Sequence, residues 1–154
     1  MNSHTVWSRI ESTTKGSLSY KDSLAKLQAL PSGYKFLFSL HYVDADILNG
    51  GFNQLHQNST WALIVTAIEA AKAFGFPRWA TLLKSVVYYY HRKGRSRLKR
   101  QIGSDYFSDI DTSSVQSFQE LEDEYFEFSE QLYKDPKHKD LWDVVIKRLP
   151  SLFA

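Results

Sequence analysis

The chain contains no cysteine, a single methionine and only four prolines among 154 residues. The missing thiols exclude disulfides, thiolate metal sites and a cysteine nucleophile, and they are compatible with a reducing cytoplasm. The first residues, "MNSHTVWSRIESTTKGS", hold neither a basic leader with an apolar block nor a bilayer-length apolar run, so an unexported, cytoplasmic, non-membrane protein is expected. Phosphate-cradling loops of the G-x-x-x-x-G-K or G-x-G-x-x-G type are also absent. The five histidines stand at 4, 41, 56, 91 and 138, never three or four apart, so a helical two-histidine metal site is excluded and no metal or cofactor is expected.

What is present is a chain 43% apolar and 15% aromatic, enough for one domain over residues 1–154 with its own core. Leu24, Leu27 and Leu30 follow Asp22 at near-helical spacing and stop at Pro31. Phe36, Leu37, Leu40, Val43, Ile47 and Leu48 predict a second helix that ends at Gly50. Trp61, Ile64, Val65, Ile68, Ala71 and Phe74 form an apolar face closed by "GFP", where Gly75 suits a left-handed cap and Pro77 forbids continuation. Trp79, Leu82, Leu83, Val86, Val87 and Tyr90 mark the next helix, its partner in a core hairpin. After a polar connection at 92–113, Ser117 and Glu120 read as a capping box ahead of Phe118, Leu121, Tyr125, Phe128 and Leu132. Leu141, Trp142, Val145, Ile146 and Leu149 complete an all-α bundle of six or seven helices.

Net charge is only +2, but the charges are segregated. Residues 91–100, "HRKGRSRLKR", hold six cations and no acid: Arg92, Lys93, Arg95, Arg97, Lys99 and Arg100. Residues 101–133 hold nine acids and no cation. Arginines beside Tyr88, Tyr89 and Tyr90 suit a nucleic-acid backbone with stacked bases, whereas acids such as Asp105, Asp109 and Asp111 would neutralise the same block internally. Glu120, Asp123, Glu124 and Glu127 fall about half a turn from the apolar seam of their helix, either as a solvated face or as a docking face for a basic partner. His41 and Asp44, one helical turn apart, suit a base with its orienting carboxylate or a local polar contact, and no serine stands in a nucleophile-elbow context.

Between the second helix and the Trp61 helix stands "ILNGGFNQLHQNS". Gly50 is expected to supply the positive φ that ends one helix, Gly51 to allow a tight turn, and Phe52 to re-enter the core. Gln54 and Asn58 are expected to bond backbone groups left open at helix ends, with Asn58 as a candidate N-cap of the Trp61 helix.

The run Asp46, Ile47, Asn49, Gly50, Gly51, Phe52, Gln54 and Asn58 resembles the signature of a bacterial family of unknown-function domains to which DNA-mimic proteins belong, and "AFGF" resembles the end of that family's next helix. The resemblance is strongest over residues 40–90. It implies an all-helical, non-enzymatic interaction module whose DNA-mimic members present acidic surfaces to DNA-binding proteins. A net positive chain with six cations in 91–100 does not match DNA over its whole surface, which confines mimicry to the acidic helix over 118–130. The expected partner is therefore a protein, with nucleic acid through 91–100 as the alternative and a homodimer allowed.

Overall fold

A helix of 19 residues, α3 (Ser32–Gly50), runs through the middle of the molecule because its apolar residues are not confined to one narrow stripe. Leu37, Leu40, Val43 and Ile47 are completely buried, and Tyr34 and Phe38 nearly so. A helix apolar over so much of its circumference must be covered on several sides. The computed structural model describes residues 1–90 and 117–154, and among these every regular element is helical.

Two helices precede α3. In α1 (Ser3–Thr14) the side chain of Asn2 accepts the Thr5 N–H, and Val6 and Ile10, one turn apart, are the buried positions. In α2 (Tyr20–Leu27) the Ser19 hydroxyl accepts the Asp22 N–H, and Leu27 is buried. After α3 come the short α4 (Asn53–Gln57), a 3-10 turn (Thr60–Leu63), α5 (Ile64–Ala73) and α6 (Pro77–Tyr90). The 3-10 turn and α5 together realise the expected Trp61 helix.

The α5–α6 corner forms as the sequence implies. Gly75 has φ +82°, Phe76 N–H bonds Ala71 C=O at 2.8 Å, and Gly75 N–H bonds Lys72 C=O at 3.0 Å. These are the two bonds of a Schellman cap, and Pro77 then opens α6, where its missing N–H costs nothing. The helix pair does pack together, but α5 also lies along α3, so the core is built on three helices rather than on a hairpin.

Beyond residue 116, α7 (Phe118–Lys134) packs against α6, and α8 (Leu141–Arg148) lies against α1. The Ser3 N–H donates to the Asp143 carboxylate at 2.5 Å, tying the start of α1 to α8. That bond, first among the causes, holds the Asp143 carboxyl below its usual range. Eight α-helices are thus described where periodicity gave six or seven. The additions are α1, whose weakly apolar sequence offers only the Val6, Trp7 and Ile10 positions, and the single-turn α4. None of the described helices is long and apolar enough to cross a membrane.

Candidate functional site

The acidic helix α7 begins with a full capping box. The Ser117 hydroxyl accepts the Glu120 N–H at 3.1 Å, and the Glu120 carboxylate accepts the Ser117 N–H at 3.2 Å. Leu121, Tyr125 and Leu132 are buried on its inner face, with Phe118 and Phe128 partly covered beside them. Glu120, Asp123 and Glu127 are exposed, and Glu130, absent from the sequence reading of this face, extends their row. At 100° per residue these four fall within one quarter of the helix surface, opposite the seam.

The carboxylates are not equivalent. Glu120 is committed to the cap, and Asp123 accepts from Gln119 Nε2 at 2.8 Å on its own helix. Glu124 pairs with Arg78 of α6 and is half-buried, so it braces two helices rather than belonging to a purely solvated face. Glu130 pairs with Lys134 one turn on. Glu122 turns back toward the protein, where its carboxylate accepts the Phe52 N–H at 3.1 Å. No local pattern distinguishes Glu122 from its neighbours, because the group it binds lies 70 residues away.

That bond lands on the double-glycine corner. Here the positive φ belongs to Gly51 (φ +79°, ψ −174°), and Gly50 is the last residue of α3, which corrects the expected division of labour. The helix runs one residue further because Gly51 N–H still reaches Ile47 C=O at 2.7 Å. A Cβ on Gly51 would stand 2.7 Å from the Glu122 carboxylate, so the absent side chain is also what admits Glu122 to the backbone. Phe52, completely buried, meets the rings of Phe118 and Tyr125 edge-on, with centroids 5.7 and 5.8 Å away.

The amides after the corner bond mainly to side chains. Asn58 Nδ2 donates to Asp46 Oδ1 and to Gln54 Oε1, each at 3.1 Å, and Gln54 Nε2 donates to Gln57 Oε1 at 3.1 Å. Thr60 Oγ1 donates to the other Asp46 oxygen at 2.6 Å. Asn58 is therefore a C-cap residue of α4 and not the N-cap of the following helix, because left-handed Ser59 (φ 62°) intervenes and turns the chain. Asn53 accepts the Tyr90 hydroxyl at 2.8 Å, and Asn49 is exposed.

Behind α7 lies a buried carboxyl. Asp44, 3% exposed, accepts hydrogen bonds from Tyr125 at 2.7 Å and Tyr133 at 2.6 Å, and Trp79 Nε1 donates to the Tyr125 oxygen at 2.8 Å. Burial raises the Asp44 pKa to about 6 against the opposing effect of its two hydroxyl donors. Burial first, and then the carboxylate beside them, raise both tyrosine hydroxyls as well.

His41 does not pair with this carboxyl. Its ring sits 4.7 Å from that of Trp7 in α1 and 6.1 Å from that of Trp142 in α8, and burial lowers its pKa. One turn of α3 separates the two residues in sequence, but α1 and α8 surround one while α7 claims the other.

The basic residues Arg92, Lys93, Arg95, Arg97, Lys99 and Arg100 lie outside the described residues, as does the polar connection at 92–113. Among the described residues, no group of three or more histidines and carboxylates is arranged to hold a metal ion.

No curated protein and no solved structure gives a match to this chain. A family model does: DMP19-like protein, the DNA mimic protein 19 family, matches residues 28–146, from the end of α2 through most of α8 and across the Asn49–Asn58 corner and α7. The chain belongs to the DMP19-like protein family.

Proposed function

We propose that this protein is a non-enzymatic DNA-mimic module that docks a basic, DNA-binding protein on the outer face of α7. The observation that carries this reading is the row of exposed carboxylates at Glu120, Asp123, Glu127 and Glu130. At about 1.5 Å rise per residue the row extends about 15 Å, with about one charge per 5 Å of axis. One strand of B-DNA carries about one charge per 3.4 Å. The row is somewhat sparser than that, because Glu122 turns inward to the Phe52 N–H and Glu124 pairs with Arg78. No cation interrupts the helix before Lys134, so a surface shaped for phosphates meets a continuous anionic strip. Because the whole chain carries a net +2, the mimicry is local to α7 and the partner is held by one face.

Capture from native cells tests this. The wild type should retain a basic DNA-binding protein that added duplex DNA displaces. The variant Asp123→Asn/Glu127→Gln/Glu130→Gln, which spares the cap and the Arg78 pair, should lose it. Equal capture by both proteins would sink the reading. Retention of DNA by the protein itself, lost on replacing Arg95, Arg97, Lys99 and Arg100 by Gln, would favour the nucleic-acid alternative through 91–100.

A further inference from the structure

Beside the carboxylate row, α7 and the end of α3 enclose a groove of about 450 Å³ lined by Leu48, Phe126, Ser129, Glu130, Tyr133 and Lys134. Leu48 is 41% exposed and Tyr133 42%, so two of the four exposed large hydrophobic side chains of the described residues meet in one place. On the α7 surface, Phe126 and Tyr133 lie between the buried seam and the row, about a quarter-turn from Glu127 and Glu130. The wall is held in position from behind: the Tyr133 hydroxyl points inward and donates to Asp44 Oδ2 at 2.6 Å, leaving the ring edge at the surface. Two adjacent features of opposite character, an anionic strip and a fixed apolar slot, share one helix.

We propose that the groove and the row form one composite surface for a cationic amphipathic helix of the partner. The inference rests on the docking role assigned to α7. The row steers the helix into register and the groove takes a single apolar anchor residue from it. Charge complementarity selects this occupant, because a helix with cations one turn apart can lie along Asp123, Glu127 and Glu130 while its flank faces Leu48 and Phe126. The division of labour follows from physics. Exposed charges chiefly accelerate encounter, whereas burial of an apolar side chain in a preorganised slot chiefly slows departure. Duplex DNA, whose phosphates the row imitates, offers the partner no counterpart to the groove.

The probe is a stapled helical peptide with arginines spaced three and four apart and one leucine on the flank, compared with the same peptide carrying alanine there. By surface-based kinetics at low salt, the wild type should bind the leucine peptide about tenfold more tightly than the alanine peptide, with the difference in dissociation rate. Leu48→Gln, at an exposed position that leaves the fold intact, should remove that preference. Tyr133→Phe, which keeps the ring and loses its tether, should remove part of it. Asp123→Asn/Glu127→Gln should slow association of both peptides alike. If both peptides bind the wild type equally, or Leu48→Gln leaves the preference unchanged, the groove is overturned while the row stands on its association rates. If the double variant also associates at the wild-type rate, the docking role of α7 falls as well. Failure of the leucine peptide to bind at all overturns the groove, and cell capture alone then decides the row.

Discussion

The Tyr125 hydroxyl donates at 2.7 Å to the carboxyl of Asp44, 81 residues earlier in the chain, and both groups are buried. The same oxygen accepts from Trp79, so one phenol joins α3, α6 and α7. Removing it leaves a buried indole N–H without its acceptor and takes one of two donors from a buried carboxyl. Tyr125→Phe should therefore cost about 1–3 kcal/mol in urea denaturation, and Tyr133→Phe, at a part-exposed site where water can substitute, clearly less. Equal effects of the two would mean that the network is not where the stability lies.

Asp44 makes stability depend on pH in the direction opposite to a salt-bridged acid. Its folded pKa is raised from 3.8 to about 6, so the folded state holds the proton more tightly than the unfolded chain. The contribution is fully present below pH 3.8 and is lost as pH rises through about 6. A shift of about two units corresponds to roughly 3 kcal/mol. Asp44→Asn, which cannot ionise, should gain on the wild type by up to about that much between pH 4 and 7. A difference between the two proteins that stays constant across this range would show that Asp44 is not buried as a neutral acid at low pH.

At the glycine corner, Gly51 and Gly50 should behave differently. Gly51→Ala places a Cβ in a positive-φ conformation and against the Glu122 carboxylate, and should cost about 2 kcal/mol or more. Gly50→Ala stands at a helical position where alanine is favourable, but its Cβ would come within 2.6 Å of Gln54 Cγ and Nε2. Gln54 must then shift and loosen its exposed bonds to Gln57 and Asn58, a smaller loss than at Gly51. Combining Gly51→Ala with Glu122→Ala should recover the steric part of the loss but not the backbone part. Comparable losses at Gly50 and Gly51 in denaturant melts would contradict this assignment.

The acidic residues of α7 should separate by melting alone. Asp123→Asn/Glu127→Gln/Glu130→Gln should leave the melt within about 0.5 kcal/mol of wild type, since like charges one turn apart repel and the Glu130–Lys134 pair is exposed. Glu120→Gln alters the carboxylate arm of the capping box and Glu124→Gln the brace to Arg78, each costing up to about 1 kcal/mol. A severe loss from the triple change would mean that the row is structural and unavailable for docking.

Local physics alone determined much of this molecule. The 3.6-residue spacing of apolar side chains marked α3, α5, α6, α7 and α8, Ser117 with Glu120 marked the start of α7, and Gly75-Phe76-Pro77 marked the corner before α6. The Asn49–Asn58 signature also named the family, because the residues at such a corner are contiguous. Helix α1 escaped notice because two buried positions in twelve residues are a faint period. Gly51 rather than Gly50 took the positive φ because hydrogen bonding carried α3 one residue further.

What only the tertiary structure decided concerns partners far apart in sequence. Glu122 resembles every other acid of α7 until the fold brings the Phe52 N–H to it, and Asp44 sits one turn from His41 until Tyr125 and Tyr133 claim it. The groove beside the row needs Leu48 from α3 and Phe126 from α7, which no local pattern joins. A helical period tells which side chains face inward, because that is set by bonds within a few residues. Which groups they meet there is set by packing across the whole chain, where one buried hydrogen bond or one missing Cβ chooses between neighbours that look alike in sequence.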